Sequence, residues 1–147
     1  MKIAMGSDHA GYELKEYLKE YLKSQNYEIV DCGTDSKESV DYPLFGFKVG
    51  KLVSQNKVDK GIVICGTGIG ISIACNKVKG VRCALVHDVT TAKYTRLHND
   101  ANCLAMGGQI VGKLVAKDIV DTWLKTDFEK GRHERRINLI KEFEENE

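Results

Sequence analysis

Five strand-like runs alternate with amphipathic helical stretches over most of the chain, and this alternation restricts the possible folds most strongly. The strand-like runs cover residues 3–6, 28–32, 61–65, 81–86 and 103–106. Helical periodicity covers residues 12–22, 42–53, 69–77, 90–98 and 111–124. Strands that are separated by helices pair in parallel through right-handed crossovers. The sequence therefore predicts an α/β fold, with three α/β/α layers around a Rossmann-like five-stranded parallel sheet.

The length and the last residues indicate one domain with a tail. A chain of 147 residues is long enough to bury a core as a single domain. After Thr126 the sequence becomes polar and charged, and it ends in a glutamate-rich run. We therefore expect a single domain over residues 1–147, in which about residues 127–147 form a short C-terminal helical tail that leaves the core.

Composition gives no support to several classes of protein. The net charge of +1 offers no electrostatic argument for a nucleic-acid or membrane partner, and neither a membrane-spanning run nor a signal peptide is recognisable. No His/Cys cluster has metal-ligand spacing, so no metal site is predicted. The cysteines form no C-x-x-C pair, and a reducing cytoplasm is the expected compartment. The cysteines expected to act as small buried hydrophobes are Cys32, Cys75, Cys83 and Cys103.

A cysteine and three glycines follow the third predicted strand, in the run Cys65-Gly66-Thr67-Gly68-Ile69-Gly70. The glycines let the backbone approach a ligand closely and direct several N–H groups at one point. A thiol beside such a turn, close to a helix N-terminus, has its thiolate form favoured by the helix dipole. The run therefore predicts an enzyme with a base or nucleophile next to an anion-binding loop.

Three polar side chains are predicted at the same edge of the sheet, where ligands bind in open parallel sheets. Asp8 and His9 follow the first strand, and Tyr42 lies after the second. Asp8 is equally well explained as a helix N-cap. His9 lies just inside a helix N-terminus, a position that suits a hydrogen bond to an anion.

Two further groups of candidate residues follow later in the chain. His98 and Asn99 follow a helix that leads into the fifth strand, so they are expected at the opposite, N-terminal edge. His98 either complements the dipole of its own helix or serves a site on another subunit, which requires an oligomer. Arg132 and Arg136, spaced i and i+4, share a helix face. They belong to a solvated charged tail or form a clamp for phosphate.

Motifs over almost the whole chain resemble those of one family, the type B ribose-5-phosphate isomerases with their galactose- and allose-6-phosphate isomerase relatives. The motifs that carry this resemblance are Gly6-Ser7-Asp8-His9-Ala10-Gly11, Asp31-Cys32-Gly33-Thr34, Ser39-Val40-Asp41-Tyr42-Pro43, Ile64-Cys65-Gly66-Thr67-Gly68-Ile69-Gly70-Ile71-Ser72, Asn76-Lys77-Val78, His98-Asn99-Asp100, Ile119-Val120-Asp121-Thr122-Trp123 and Gly131-Arg132-His133.

The resemblance implies an aldose–ketose isomerase that interconverts ribose 5-phosphate and ribulose 5-phosphate through a cis-enediolate, without a metal or cofactor. In this scheme Cys65 moves the proton between C2 and C1, and His98 of a partner subunit opens the furanose ring. Asp8 and Thr67 handle hydroxyl protons. A homodimer with a shared site is the minimal unit, and further pairing of dimers stays open.

The resemblance also implies which residues bind the substrate. The enediolate oxygens are held by backbone N–H groups of Gly66, Gly68, Ile69 and Gly70. The phosphate is bound by His9, Arg132 and Arg136, and the sugar by Tyr42 and Asn99. The resemblance does not assign the two arginines to one subunit or the other.

Three residues bear on the choice within the family. Some members use a glutamate of the glycine loop as the base, but residues 66–75 contain no carboxylate here, which leaves Cys65. His98 favours the ribose enzyme, because galactose-6-phosphate isomerase subunits generally lack it. Gln109 stands where many members carry an arginine that binds phosphate, so allose 6-phosphate and other 6-phosphohexoses stay open as substrates.

Three alternative functions fit the sequence less well or only in part. A cysteine phosphatase needs an arginine six residues after its cysteine, and Ile71 stands there. A dinucleotide site is disfavoured because the glycine spacing is wrong and the loop does not follow the first strand. A non-catalytic phosphate-binding module explains the fold and the loop, but it leaves Cys65, His98 and the paired arginines without a function.

Overall fold

The protein is described by a computed structural model that covers all residues 1–147, and its strands and helices follow the predicted alternation. The strands are β1 Lys2–Ser7, β2 Glu28–Asp31, β3 Lys60–Cys65, β4 Cys83–Leu85 and β5 Cys103–Gly107. The helices are α1 Tyr12–Ser24, α2 Tyr42–Ser54, α3 Ile69–Asn76, α4 Val89–Leu97, α5 Lys113–Lys125 and α6 Arg132–Asn146. A short 3-10 turn, His9–Gly11, precedes α1.

All five strands pair in parallel in the order β2-β1-β3-β5-β4. Side chains alternate across the sheet, so Ile62 and Ile64 of β3 pack with α1, α4 and α5, whereas Val63 and Cys65 pack with α2 and α3. These two apolar clusters on opposite faces form a three-layer α/β/α domain. The predicted fold class is confirmed. No helix is both long and apolar enough to cross a lipid bilayer.

Strand β4 is shorter than the predicted run of residues 81–86, and side chains bind the main chain at its start. The Asn76 amide pairs with both main-chain groups of Cys83, accepting from its N–H at 2.8 Å and donating to its carbonyl at 2.9 Å. The N–H of Arg82 donates to the side chain of Asn102. These bonds satisfy backbone groups that would otherwise be open to strand pairing.

The C-terminal tail forms a longer helix than predicted. Helix α6 has 15 residues, and its first two turns are attached to the domain through buried His133 and Ile137. Further along, Glu144 accepts a hydrogen bond from the N–H of Gly80. The expectation of a short helix that leaves the core is therefore wrong for the start of α6.

A buried lysine joins α1 to the end of β2. The Lys15 side chain is fully buried, and its Nζ lies 2.7 and 2.9 Å from the two carboxylate oxygens of Asp31. Lys19 and the N–H of Gly33 also donate to this carboxylate, both at 2.9 Å. Burial alone would raise the pKa of Asp31, but the hydrogen bonds from Lys15, Lys19 and Gly33 outweigh it and lower the pKa.

Asp31→Asn is expected to lower the free energy of unfolding by about 3 kcal/mol, because it leaves the Lys15 ammonium buried without its main counter-charge. Since the folded-state pKa is lowered, this contribution is present above the ordinary Asp pKa of about 4 and is lost as the pH falls below it. Urea unfolding at pH 7 and at pH 3 measures both effects.

The matched control is Glu28→Gln, which removes an exposed pair that joins Lys2 and Glu28 across 3.8 Å. Its expected cost is below about 1 kcal/mol. Equal costs for the two variants at pH 7 would contradict the stabilising role of the buried pair.

Candidate active site

The loop that follows β3 presents unpaired backbone donors beside Cys65. Cys65 is the last residue of β3, and it is only 5% exposed. Gly68 adopts a left-handed conformation with φ of 80°, and a Cβ there would lie 2.6 Å from the Leu85 side chain and 2.7 Å from the backbone of Met106. Only glycine fits this turn. The loop N–H groups that donate no hydrogen bond within the chain are those of Gly66, Thr67, Gly68 and Gly70.

Asp8 and His9 lie next to this loop, in the turn that precedes α1. A Cβ on Gly11 would lie 2.4 Å from the carbonyl oxygen of Ile64, so the turn packs directly on the end of β3. Asp8 acts as an N-cap, since its Oδ1 accepts from the N–H groups of Ala10 and Gly11 at 3.0 and 3.1 Å. The structural explanation of Asp8 is therefore correct, and its role with hydroxyl protons stays a prediction.

The imidazole of His9 is oriented by the loop before α2. The N–H of Val40 donates to His9 Nδ1 at 3.2 Å. In the neutral ring the proton must then be carried by Nε2. His9 can thus donate a hydrogen bond from Nε2, as the predicted contact with an anion requires.

Tyr42 and Thr67 also lie at this loop. Tyr42 begins α2, and its ring covers Gly70 so closely that a Cβ on this glycine would lie 2.9 Å from the tyrosine hydroxyl oxygen. Thr67 is exposed, and its Oγ1 accepts from the N–H of Ile69 at 3.3 Å. The structure thus brings together the predicted residues of the C-terminal edge.

Two side chains at this edge received no catalytic or binding role from the sequence. The N–H of Gln109 donates to the carbonyl of Gly66 at 3.0 Å, and its side-chain oxygen would lie 3.0 Å from a Cβ on that glycine. His87 accepts from the N–H of Gly107, the register partner of Cys65, at 3.1 Å. In the sequence, only the position of His87 after a strand, at the edge where ligands bind, could have indicated that it belongs to the site.

The remaining predicted residues lie at the opposite edge of the sheet. His98 caps the C-terminus of α4, and the carbonyl of the nearby Asn102 accepts from the N–H of Gly61 near the start of β3. Four residue steps of about 3.3 Å separate Gly61 from Cys65, a distance of roughly 13 Å along the strand. His98 and Asn99 are therefore at the edge predicted for them, away from the Cys65 thiol of the same subunit.

The start of α6 meets His98 at this second edge. The ring of His133 stacks on the ring of His98 with centroids 4.0 Å apart and an angle of 13° between the planes. Arg132 precedes His133, and Arg136 lies one turn later on α6. The structure therefore groups both arginines with His98 and Asn99, and separates this group from Cys65. No side-chain role had been predicted for His133.

The surface pockets of the single chain lie away from the glycine loop. The three pockets have volumes of about 450, 950 and 420 Å³, and none is lined by Cys65 or by residues 66–70. The first is lined partly by Asn99 and the side of α6, and the second lies between α1 and α5. In the single chain, therefore, the loop after β3 contributes to none of these pockets.

Comparison with known proteins connects this arrangement to one family. Residues 3–140 match the family described as Ribose/Galactose Isomerase. Ribose-5-phosphate isomerase B of Escherichia coli is 44% identical over 144 residues, which cover 98% of this chain and 97% of that protein.

Solved structures agree with this match. The structure of ribose-5-phosphate isomerase B from Clostridium thermocellum has a TM-score of 0.98 and 53% identity, with 99% of each chain covered. The ribose-5-phosphate isomerase B of Mycoplasma genitalium with bound ribulose-5-phosphate has a TM-score of 0.96 and 42% identity, over 99% of this chain and 97% of that one. A non-catalytic binding module is thereby set aside: the chain is an isomerase and belongs to the ribose/galactose isomerase family.

Proposed function

We propose that this isomerase interconverts D-ribose 5-phosphate and D-ribulose 5-phosphate as a step of the non-oxidative pentose phosphate pathway. The observation that carries the proposal is the position of the Cys65 thiol at the end of β3, directly before a loop with four unpaired N–H groups. The E. coli relative carries the same activity in its name, and the M. genitalium relative binds ribulose-5-phosphate.

Cys65 is proposed to transfer the proton between C2 and C1. Its thiolate takes the proton from C2 of the open-chain aldose, the C2–H electron pair forms the C1–C2 double bond, and the carbonyl pair moves to O1. The thiol then returns the proton to C1 and becomes a thiolate again, while the O2–H electron pair forms the C2 carbonyl and the proton released from O2 is taken up by O1. The unpaired N–H groups of Gly66, Thr67, Gly68 and Gly70 stabilise the oxygens on which negative charge develops, whereas the N–H of Ile69 already donates to Thr67 Oγ1. Thr67 and Asp8, through its Oδ2, are proposed to handle the hydroxyl protons.

Ring opening and phosphate binding are assigned to groups from two subunits. His98 is proposed to open the furanose in the site of the partner subunit, because it lies at the wrong edge of its own sheet. Arg132, Arg136 and Asn99 accompany His98 at that edge, so we assign all four to the same subunit. His9 then completes the phosphate site from the subunit that supplies Cys65.

Exposed apolar side chains next to the glycine loop support a homodimer. Ile69 and Ile73 on α3 are 52% and 56% exposed, and the nearby Leu85 and Val89 are 38% and 41% exposed. A two-fold interface that includes this surface would bring the second edge of each subunit to the loop of the other, and symmetry would create two identical sites.

We also propose a reaction without metal or cofactor and a cytoplasmic location. Proton transfer between adjacent carbons needs only a base and a means of stabilising the enediolate. All five cysteines are free thiols, which fits a reducing compartment.

A 6-phosphohexose such as allose 6-phosphate or galactose 6-phosphate is the second candidate substrate, because the short Gln109 occupies the space beside Gly66. We expect kcat/KM for ribose 5-phosphate to exceed the hexose values by at least about tenfold, the range typical of one extra carbon unit in a fitted site. Steady-state kinetics with the three sugar phosphates measure this ratio. A hexose preference would keep the mechanism and change the substrate, with Gln109→Arg as the first variant to compare.

A further inference from the structure

The C-terminal helix supports the ring of the proposed ring-opening residue. We infer that His133 is a positioning residue, whose stacked ring holds His98 in the orientation needed at the partner's sugar; this rests on the proposed function. The two rings are nearly parallel, with centroids 4.0 Å apart. On its own helix, Tyr94 meets the His98 ring edge-on at 5.1 Å. His98 is thus restrained by rings from two different elements.

His98 needs such support because it caps the end of its helix. Helix α4 ends at Leu97, and Asp100 already has the left-handed φ of 46°. No side-chain hydrogen bond from within the chain orients the His98 imidazole. Its orientation therefore depends on packing, and a catalytic group that is misplaced by about 1 Å can cost on the order of 100-fold in rate.

His133 is well suited to hold another ring in place. Its side chain is only 7% exposed, and its backbone N–H donates to the carbonyl of Lys130. Its Nε2 is buried without a hydrogen-bond partner, since the nearest carboxylate oxygen, on Glu129, is 3.8 Å away. A buried polar atom without a partner is unfavourable and calls for an explanation. The contact of the His133 ring with the reactive ring of His98 provides such an explanation.

Charge around His133 favours its neutral form. Burial lowers the pKa of His133, the nearby His98, Arg132 and Arg136 lower it further, and only Glu129 acts in the opposite direction. A neutral ring at 4.0 Å allows His98 to take up a proton without a like charge stacked on it. The stack therefore supports proton transfer as well as orientation.

The same three residues do not form a metal centre in this arrangement. The ligand atoms of His98, Glu129 and His133 lie within 4.8 Å of one another. Imidazole nitrogens bind a metal along directions in the ring plane, and a tetrahedral ion needs these directions to converge steeply. The two ring planes are nearly parallel and their centroids are 4.0 Å apart, so one ion cannot lie in the planes of both rings. Mutual support of the rings explains the geometry better than metal binding.

The test separates ring opening from proton transfer, because only one of the two sugars forms a ring. Ribose 5-phosphate closes to a furanose through O4. Ribulose 5-phosphate cannot close a furanose, because O5 carries the phosphate. Turnover of ribose 5-phosphate therefore requires ring opening, whereas deuterium uptake from D₂O at C1 of ribulose 5-phosphate requires only Cys65 and the glycine loop.

His133→Ala is expected to lower kcat for ribose 5-phosphate by about 10- to 100-fold, with deuterium uptake at C1 of ribulose 5-phosphate remaining close to wild type. His133→Phe restores a flat ring and should recover most of the lost turnover. Arg135→Ala, on the exposed side of the first α6 turn, is the matched control and should leave both rates unchanged. Equal losses in both assays, or no loss at all, would overturn the inference.

An NMR readout keeps this inference distinct from the proposed function. The stacked ring of His133 should shift the His98 ring protons through its ring current, and this shift should disappear in His133→Ala and persist in His133→Phe. Unchanged His98 resonances in His133→Ala would refute the stack whatever the substrate is. Absence of deuterium uptake by the wild type would instead refute the proposed function.

Discussion

Cys65→Ala is expected to lower isomerase turnover by about 10²- to 10⁴-fold, the usual contribution of a positioned acid–base group. No other side chain of the glycine loop can take a proton from carbon, because residues 66–70 are three glycines, Thr67 and Ile69. Cys65→Ser keeps the size of the side chain but supplies a hydroxyl that does not ionise near neutral pH, so a similar loss is expected.

Both assays should respond to the loss of this thiol. Turnover of ribose 5-phosphate and deuterium uptake at C1 of ribulose 5-phosphate should fall together, in contrast to variants that affect ring opening alone. Cys32→Ala is the matched control, because Cys32 is a half-buried free thiol that lies after β2 and has no role in the proposed proton transfer. Retained deuterium uptake in Cys65→Ala would remove Cys65 from the proton-transfer step.

Mixtures of Cys65→Ala and His98→Asn proteins are expected to regain activity that neither variant has alone. In a dimer with shared sites, a mixed pair contains one site with both defects and one intact site. Random exchange makes half of the dimers mixed, so about a quarter of the wild-type activity should return in a two-fold symmetric assembly.

Subunit exchange must be demonstrated separately, by unfolding and refolding the mixture and isolating mixed dimers through tags of different length. Each variant that is refolded alone serves as the control and should stay inactive. If isolated mixed dimers show no activity, His98 does not act in the partner's site. Activity of His98→Asn alone at the wild-type level would also exclude His98 from ring opening.

Local patterns were sufficient for the fold and for the residues around Cys65. The alternation of strands and helices implies a parallel sheet, and a parallel sheet collects its ligand-binding residues at one edge. Asp8, His9, Tyr42 and the glycine loop each follow a strand, or lie in the loop after one, so their proximity is a consequence of topology. The helix dipole and the glycines act over a few residues, and sequence reveals such short-range effects well.

Element ends and the tail were less predictable, because distant side chains determine them. At the start of β4, the Asn76 amide binds both main-chain groups of Cys83, a contact that the periodicity of the strand does not indicate. Helix α6 is attached through His133 and Ile137, which are buried against parts of the chain that its own polar sequence does not indicate. The polar composition of the tail predicted that it is exposed, but two buried side chains are enough to attach the first turns of α6 to the domain.

The sequence by itself determined the fold class, the position of Cys65 directly before the glycine loop, and the edge at which His98 lies, since all of these follow from local periodicity and strand order. Only the tertiary structure decided that His133 stacks on His98 and that Arg132 and Arg136 accompany His98 rather than Cys65. The physical reason is that these contacts join α4 to α6 across more than 30 residues, and packing between distant elements leaves no periodic signal in the chain.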